Sequence, residues 1–126
     1  MRIGVIGPKH LNGVIFNDII FISKHLDPFC KELTQVVSGG AKGVESLVET
    51  WALDHNYNFV KKKPNIKHAN GDTAVAFIMR NIEIVNACDL FLYFWDGSSA
   101  LAVPAIAQAV RTRKKTIIIP MTGLYV

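Results

Sequence analysis

The sequence has few cysteines and no hydrophobic run long enough to cross a membrane. Its two cysteines, Cys30 and Cys88, cannot form a disulfide framework or a cysteine-ligated zinc site, so we interpret both as small packed side chains. The most apolar stretch, residues 14–26, is interrupted by polar and charged residues, whereas a membrane span needs about 20 consecutive apolar residues. Gly7-Pro8 breaks the first apolar run too early for a secretory signal. We therefore expect a cytoplasmic protein with no membrane partner.

Several common catalytic motifs are also absent. Neither G-x-x-x-x-G-K-[ST] nor G-x-G-x-x-G occurs, which disfavours P-loop hydrolysis and standard dinucleotide dehydrogenase chemistry. The histidines have neither the spacing of a metal site nor a paired nucleophile: His10, His25, His55 and His68. We predict no metal ion and no resident cofactor.

The composition is that of a folded domain with a basic surface. Of the 126 residues, 50% are hydrophobic and 19% are charged, which excludes global disorder and predicts a single domain over residues 1–126. The formal net charge of +4 suits anionic partners: phosphorylated small molecules, nucleic acids or acidic proteins. Basic residues cluster at 61–63 and 111–115, although such runs are more often solvated faces than nucleic-acid sites.

Short apolar runs alternate with amphipathic segments of helical length along the whole chain. The runs predict strands at residues 3–6, 34–37, 58–60, 90–94 and 116–119, and the segments predict helices at about 14–29, 44–55, 73–87 and 101–112. Nearly continuous apolar strands between helices indicate a parallel sheet covered on both faces. We predict an α/β fold, a Rossmann-like three-layer sandwich with five parallel strands in the order 3-2-1-4-5.

Ligands of such sheets bind beyond the carboxyl ends of the strands, where the strand order reverses. Three loops are predicted to converge there, and they are also the strand ends richest in glycine and serine. They consist of Gly7, Pro8, Lys9 and His10; Ser38, Gly39, Gly40, Ala41, Lys42 and Gly43; and Trp95, Asp96, Gly97, Ser98 and Ser99.

The second of these loops is the most informative. Gly39 and Gly40 allow positive backbone dihedrals and close approach of a ligand to the main chain. The helix that follows offers unpaired N–H groups to a phosphate or carboxylate, and Lys42 would add a mobile charge. The alternative is that the two glycines only form a tight turn.

These segments resemble the SLOG superfamily, which includes YspA-like proteins, LOG nucleotide phosphoribohydrolases and the Rossmann-like domain of the DNA-processing protein DprA. The resemblance is closest to the small YspA-like branch. It is carried by residues 36–45, Trp51-Ala52, 63–65, Ala76-Phe77, Arg80-Asn81 and 94–99. It implies a Rossmann-like fold, a site for a nucleotide or a derivative such as ADP-ribose, and paired subunits.

Two departures from the family pattern bear on catalysis. Glu45 stands where the family usually has aspartate, although an acidic residue in the first helical turn also suits the helix dipole. LOG enzymes carry a catalytic glutamate in P-G-G-x-G-T-x-x-E, but no carboxylate follows Asp96 in this chain. Glu45 and Asp96 are therefore the only candidate catalytic residues, and the resemblance supports the binding site better than the LOG reaction.

The remaining candidates have both a functional and a structural interpretation. The resemblance makes Arg80 a contact to a ligand phosphate or ribose, whereas an arginine in apolar company also forms salt bridges, here with Glu83 or Glu45. Asn81 would bond a ligand or brace the fourth-strand loop. Asp96 would accept hydrogen bonds from ribose hydroxyls, act as a general base, or simply form an Asp-Gly turn.

The other residues of the fourth-strand loop are open in the same way. Ser98 and Ser99 would bond phosphate or cap the next helix. Trp95 would stack on a base or pack beneath the edge of the sheet.

The sequence thus favours a protein that binds a nucleotide-like small molecule and senses or sequesters it. One alternative is a hydrolase of N-glycosidic bonds in nucleotides. Such a reaction passes through an oxocarbenium-like transition state, whose positive charge carboxylates stabilise. A second is a DprA-like binder of single-stranded nucleic acid through residues 61–63, Lys67 and 111–115. A third is a scaffold whose pocket is vestigial.

Overall fold

A computed structural model describes residues 1–9, 18–97 and 102–121. Its elements in chain order are β1 (Arg2–Ile6), α1 (Asp18–Leu26), a 3-10 turn (Asp27–Phe29), β2 (Gln35–Ser38), α2 (Val44–Asp54), β3 (Asn58–Lys61), α3 (Thr73–Asn86), β4 (Leu90–Trp95), α4 (Val103–Arg111) and β5 (Lys115–Pro120). Within those residues, no helix has the length and apolar character needed to cross a bilayer.

The five strands form one parallel sheet in the order β3-β2-β1-β4-β5, which confirms the predicted topology. β1 lies at the centre, with Val5 opposite Ser38 of β2 and Leu92 of β4. Ile6 at the end of β1 lies opposite Tyr93 near the end of β4. The carboxyl ends of β1, β2 and β4 therefore lie side by side, as a ligand site at this edge requires.

β4 shows why its sequence is an unbroken apolar run. Leu92 and Phe94 belong to the core cluster with α1 and α2, whereas Phe91 and Tyr93 belong to the cluster with α3 and α4. Because successive side chains of a strand point to opposite faces, both sets must be apolar in a covered sheet. Each fully buried side chain contributes about 1.5–3 kcal/mol by leaving water. The layers are thus α1 and α2, the sheet, and α3 and α4.

The first helix ends earlier than its sequence pattern predicts. α1 ends at Leu26, and the next three residues form a 3-10 turn with Pro28 inside it. Proline has no N–H to donate to the carbonyl four residues earlier, so an α-helix does not continue through it. The predicted start of this helix, at residue 14, lies outside the described residues.

The start of α3 is fixed by a capping residue. The carboxylate of Asp72 accepts a hydrogen bond of 3.1 Å from the backbone N–H of Val75. A cap of this kind satisfies one of the unpaired N–H groups in the first turn and stabilises a helix by about 1 kcal/mol. α4 is described from Val103, and its predicted first residue, Leu101, lies outside the described residues.

An ion pair at the amino ends of the strands, on the side of the sheet away from the ligand loops, gives a prediction for stability in acid. The Arg2 side chain and backbone N–H both bond the carboxylate of Asp89, and they lower its pKa from the ordinary 3.8 to about 2. In the unfolded chain Asp89 has its ordinary pKa, so it binds a proton at a higher pH than in the folded chain. The contribution of the ion pair to the free energy of unfolding is therefore lost as the pH falls from about 4 to about 2. Because both side chains are half exposed, we expect a small loss. Urea unfolding across this pH range should show it in the native chain, and a variant Asp89→Asn with the same pH slope would contradict it.

Candidate active-site cleft

A cleft of about 250 Å³ opens at the carboxyl ends of β1 and β4, where the strand order reverses. Eight of the residues nominated from the sequence line it: Gly7, Pro8, Lys9, Ala41, Glu45, Arg80, Asn81 and Asp96. The structure therefore brings residues from all three predicted loops to one place, together with two residues of α3.

The first two loops touch through a pair of glycines. A Cβ on Gly7 would lie 2.5 Å from Cβ of Val44, and a Cβ on Gly43 would lie 2.2 Å from the carbonyl oxygen of Pro8. Gly43 also has a φ of +89°, which side chains rarely adopt. The backbone N–H of Val44 donates to the Pro8 carbonyl at 3.2 Å. The β1 loop is thus docked on the first turn of α2.

A buried ion pair forms the floor of the cleft. Arg80 donates from Nη1 to Oε1 of Glu45 at 2.9 Å and from Nη2 to Oε2 at 3.3 Å. Their side chains are only 4% and 1% exposed. Glu45 comes from α2 and Arg80 from α3, which pack on opposite faces of the sheet, so the pair joins the two outer layers around its edge. Of the two salt bridges proposed for Arg80, the one with Glu45 is observed.

Glu45, Asn81, Gly39 and Phe77 all contact or flank the guanidinium of Arg80. Its Nε donates to Oδ1 of Asn81 at 2.9 Å, and its plane lies so close to Gly39 that a Cβ there would be 1.4 Å from Nη1. Phe77 lies on another side, with the Arg80 Cζ 5.1 Å and the Lys9 Nζ 5.0 Å from its ring centroid. Among the residues that the structure describes, Glu45 and Asn81 take three of the five N–H donors of Arg80, which leaves donors for a ligand.

The other side of the cleft carries an acid and a phenol. Asp96 follows the last residue of β4, and Tyr93 lies within that strand. Burial raises the pKa of the Tyr93 phenol, and the neighbouring Asp96 carboxylate raises it further. Tyr93 is therefore a neutral hydroxyl at physiological pH and can both donate and accept a hydrogen bond.

Several nominated residues do not line the cleft. The buried hydroxyl of Ser38 donates to the carbonyl of Val5 at 2.7 Å, and it serves to join β2 to β1. Gly40, with φ +68°, would direct a Cβ toward the ion pair of Lys61 and Glu49. Gly39 lies under Arg80, as described above.

The remaining residues predicted from the sequence lie at the surface or outside the residues that the structure describes. Lys42 and Gly97 are exposed, and Trp95 is 40% exposed at the end of β4. His10, Ser98 and Ser99 lie outside the described residues. No three His, Cys, Asp or Glu side chains within residues 1–9, 18–97 and 102–121 are grouped to hold a metal ion.

Sequence reasoning did not nominate the aromatic walls of the cleft. Phe77 and Tyr93 line it, as do Ile6, Phe94 and Ala102. The register of the sheet contains the missing signal: Tyr93 pairs with the last residue of β1, so its side chain must lie at the ligand edge. Phe77 is one helical turn before Arg80 and so shares its face of α3.

A second cleft of about 260 Å³ shares Arg80 with the first. It is lined by Lys63, Asn65, His68, Ala76, Met79, Arg80 and Glu83. The basic run at 61–63 begins at the last residue of β3, at the same edge of the sheet, because Lys61 pairs with Ser38. In contrast, the run at 111–115 lies at the opposite edge, where Lys115 pairs with the first residue of β4. The two basic runs proposed for nucleic acid thus lie at opposite edges of the sheet.

Comparison with solved structures identifies a protein with a similar fold. No family model matches the chain, and no curated protein matches it. Among solved structures it is similar to DNA processing protein A from Helicobacter pylori, which binds single-stranded DNA. The TM-score is 0.67 at 16% sequence identity, over 94% of this chain and 64% of that one, so the chain spans less than two thirds of its neighbour. The two chains share a Rossmann-like α/β fold.

Proposed function

We propose that the chain binds a nucleotide or a nucleotide-derived ligand, either a nucleoside phosphate or an ADP-ribose-like molecule, in the cleft at the ends of β1 and β4. The observation that carries this proposal is the arrangement of charge around an aromatic wall. Lys9 and Arg80 both lie about 5 Å from the Phe77 ring, and Asp96 is a carboxylate in the same cleft. Ligand sites commonly combine apolar walls with a few convergent polar groups of this kind.

The separated charges suit the two polar parts of a nucleotide. Lys9 and the remaining N–H donors of Arg80 would bind the phosphate oxygens through charge-assisted hydrogen bonds. A carboxylate such as that of Asp96 accepts hydrogen bonds from ribose hydroxyls, and the Tyr93 hydroxyl can add one. The half-buried ring of Phe77 lines the same cleft and would pack against the base.

Binding is favoured over hydrolysis because the cleft is poor in usable carboxylates. Glu45 is bonded to Arg80 through both oxygens and is nearly inaccessible, which disfavours a role as nucleophile or general base. Asp96 is then the only other carboxylate that lines the described part of the cleft. A glycosidase-like reaction normally uses two carboxylates.

The first test is a thermal-shift titration with AMP and ADP-ribose. A ligand that binds only the folded chain raises the melting temperature, and at about 100 times its dissociation constant it adds about 2.7 kcal/mol. Lys9→Ala should weaken binding about 10-fold, which corresponds to about 1.4 kcal/mol. Lys31→Ala is the matched control, because Lys31 is exposed just before β2 at the opposite edge of the sheet. Equal loss in both variants, or no shift with any nucleotide, would refute the proposal.

The second test concerns turnover. Incubation of the native chain with nucleoside monophosphates should release less than one equivalent of free base, since among the described residues that line the cleft Asp96 is the one carboxylate not bonded to Arg80. Chromatography of the products over time measures this directly. Multiple turnovers that disappear in Asp96→Asn would support the hydrolase alternative instead.

Single-stranded nucleic acid is a second candidate ligand, favoured by the structural neighbour and by the second cleft. Lys63 continues the cationic edge beyond Arg80 and lines the second cleft together with His68 and Glu83, so a chain of phosphates would run from Lys9 past Arg80 to Lys63. Affinity that rises with oligonucleotide length, falls steeply with salt and is reduced by Lys63→Ala would indicate this ligand. A mononucleotide confined to the first cleft would be insensitive to Lys63→Ala.

A further inference from the structure

The carboxylate of Glu45 receives hydrogen bonds from four N–H groups. Besides the two from Arg80, the backbone N–H of Ala41 lies 3.4 Å from Oε1 and that of Gly7 lies 3.5 Å from Oε2. These two amides belong to the loops after β2 and β1, and they converge at the first turn of α2. Backbone N–H groups at such a position, together with an arginine, are the donors that usually bind a phosphate.

We propose that Glu45 is an internal anion that occupies the phosphate position of the glycine loop and thereby excludes external phosphate from it. A carboxylate has about four lone-pair positions, and the four N–H donors match that number. Glu45 is 1% exposed, so its carboxylate is closed to solvent and its position is not open to an external anion.

This arrangement sets the class of ligand that the cleft accepts. Inorganic phosphate or sulfate gains little, because the strongest set of donors is already satisfied by Glu45. A ligand must instead offer hydroxyl or base groups to Asp96 and Tyr93 and bring its phosphate to Lys9. In this last respect the inference rests on the proposed function. It also assigns Glu45 as a residue that determines specificity rather than as a catalytic residue.

The test is chemical complementation of Glu45→Ala with inorganic phosphate. Removal of the side chain leaves a space beside Arg80 and the two amides, so phosphate or sulfate should raise the melting temperature of this variant and bind at least about 10-fold more tightly than to the native chain. The matched control is Glu49→Ala, which removes a glutamate one turn later on α2 that pairs with Lys61. The inference would be overturned if phosphate raised the melting temperature of the native chain as much as that of Glu45→Ala. It would also be overturned if phosphate raised the melting temperature of Glu49→Ala by that amount.

A measurement on the native chain covers the case in which Glu45→Ala does not fold. The amide signals of Gly7 and Ala41 in a nitrogen-15 NMR spectrum should stay in place as inorganic phosphate is added, since both amides already bond Glu45. A shift of both signals on titration with phosphate would show that the anion reaches them and would overturn the inference. If no nucleotide binds at all, the proposed function fails, whereas the phosphate response of Glu45→Ala still decides the inference.

Discussion

Replacing Arg80 with methionine is expected to lower the free energy of unfolding by about 3–5 kcal/mol, the range observed when one partner of a buried ion pair is removed. Methionine is shorter than arginine but has a similar volume, so the cavity that it leaves is small. The cost arises because the Glu45 carboxylate would remain buried without its counter-charge. Asn81 would also lose its hydrogen bond from Nε. Urea denaturation of the two proteins at neutral pH measures the difference.

The double variant Arg80→Met with Glu45→Met separates the charge effect from the loss of packing. It removes both charges together, and buried ion pairs replaced by apolar residues often cost little stability. We therefore expect the double variant to be more stable than Arg80→Met alone. Additive losses would show that the two side chains act independently, contrary to the observed bidentate contact.

Gly39→Ala is expected to destabilise the chain by about 1–3 kcal/mol, the usual cost of overpacking a well-packed site. The added Cβ would lie 1.4 Å from Nη1 of Arg80 and 2.6 Å from Oε1 of Glu45. The guanidinium cannot move aside without breaking its bonds to Glu45 and Asn81. Thermal or urea unfolding measures the loss, and nucleotide affinity should fall with it, because Arg80 forms part of the cleft.

Gly71→Ala is the control that distinguishes crowding from backbone strain. Gly71 has a φ of +83° but no atom within 4 Å of an added Cβ, so alanine there costs strain alone, about 1 kcal/mol. Gly39 is the reverse case, since it has no positive φ and no space. A loss at Gly39 no larger than that at Gly71 would contradict the close contact with Arg80.

The sequence predicts the architecture well because its strands are covered on both faces. A run such as residues 90–94 has no polar alternation, which is the pattern of a central parallel strand, and the strand order follows from right-handed crossovers. The positions of the ligand loops follow from that order. The ends of elements were less predictable, since they depend on single residues such as Pro28 and Asp72.

The interior of the cleft could be predicted only in part. The sequence leaves Glu83 and Glu45 as alternative partners of Arg80, and nothing in the local sequence of Glu45, which also suits the helix dipole, indicates that it is the buried one. That pairing depends on how α2 and α3 pack around the sheet. Likewise, the double glycine signals close approach, but the group that approaches Gly39 is Arg80 of the same chain.

The contact between Glu45 and Arg80 has a consequence for local unfolding. Helices on opposite faces of a sheet ordinarily have no direct contact, so each layer can open by itself. Here separation of the first turn of α2 from the sheet would leave the Arg80 guanidinium buried without its counter-charge. Separation of α3 would leave the Glu45 carboxylate in the same position. The two helices should therefore open as one cooperative unit, and their amides should exchange with solvent at a common free energy despite lying in different layers.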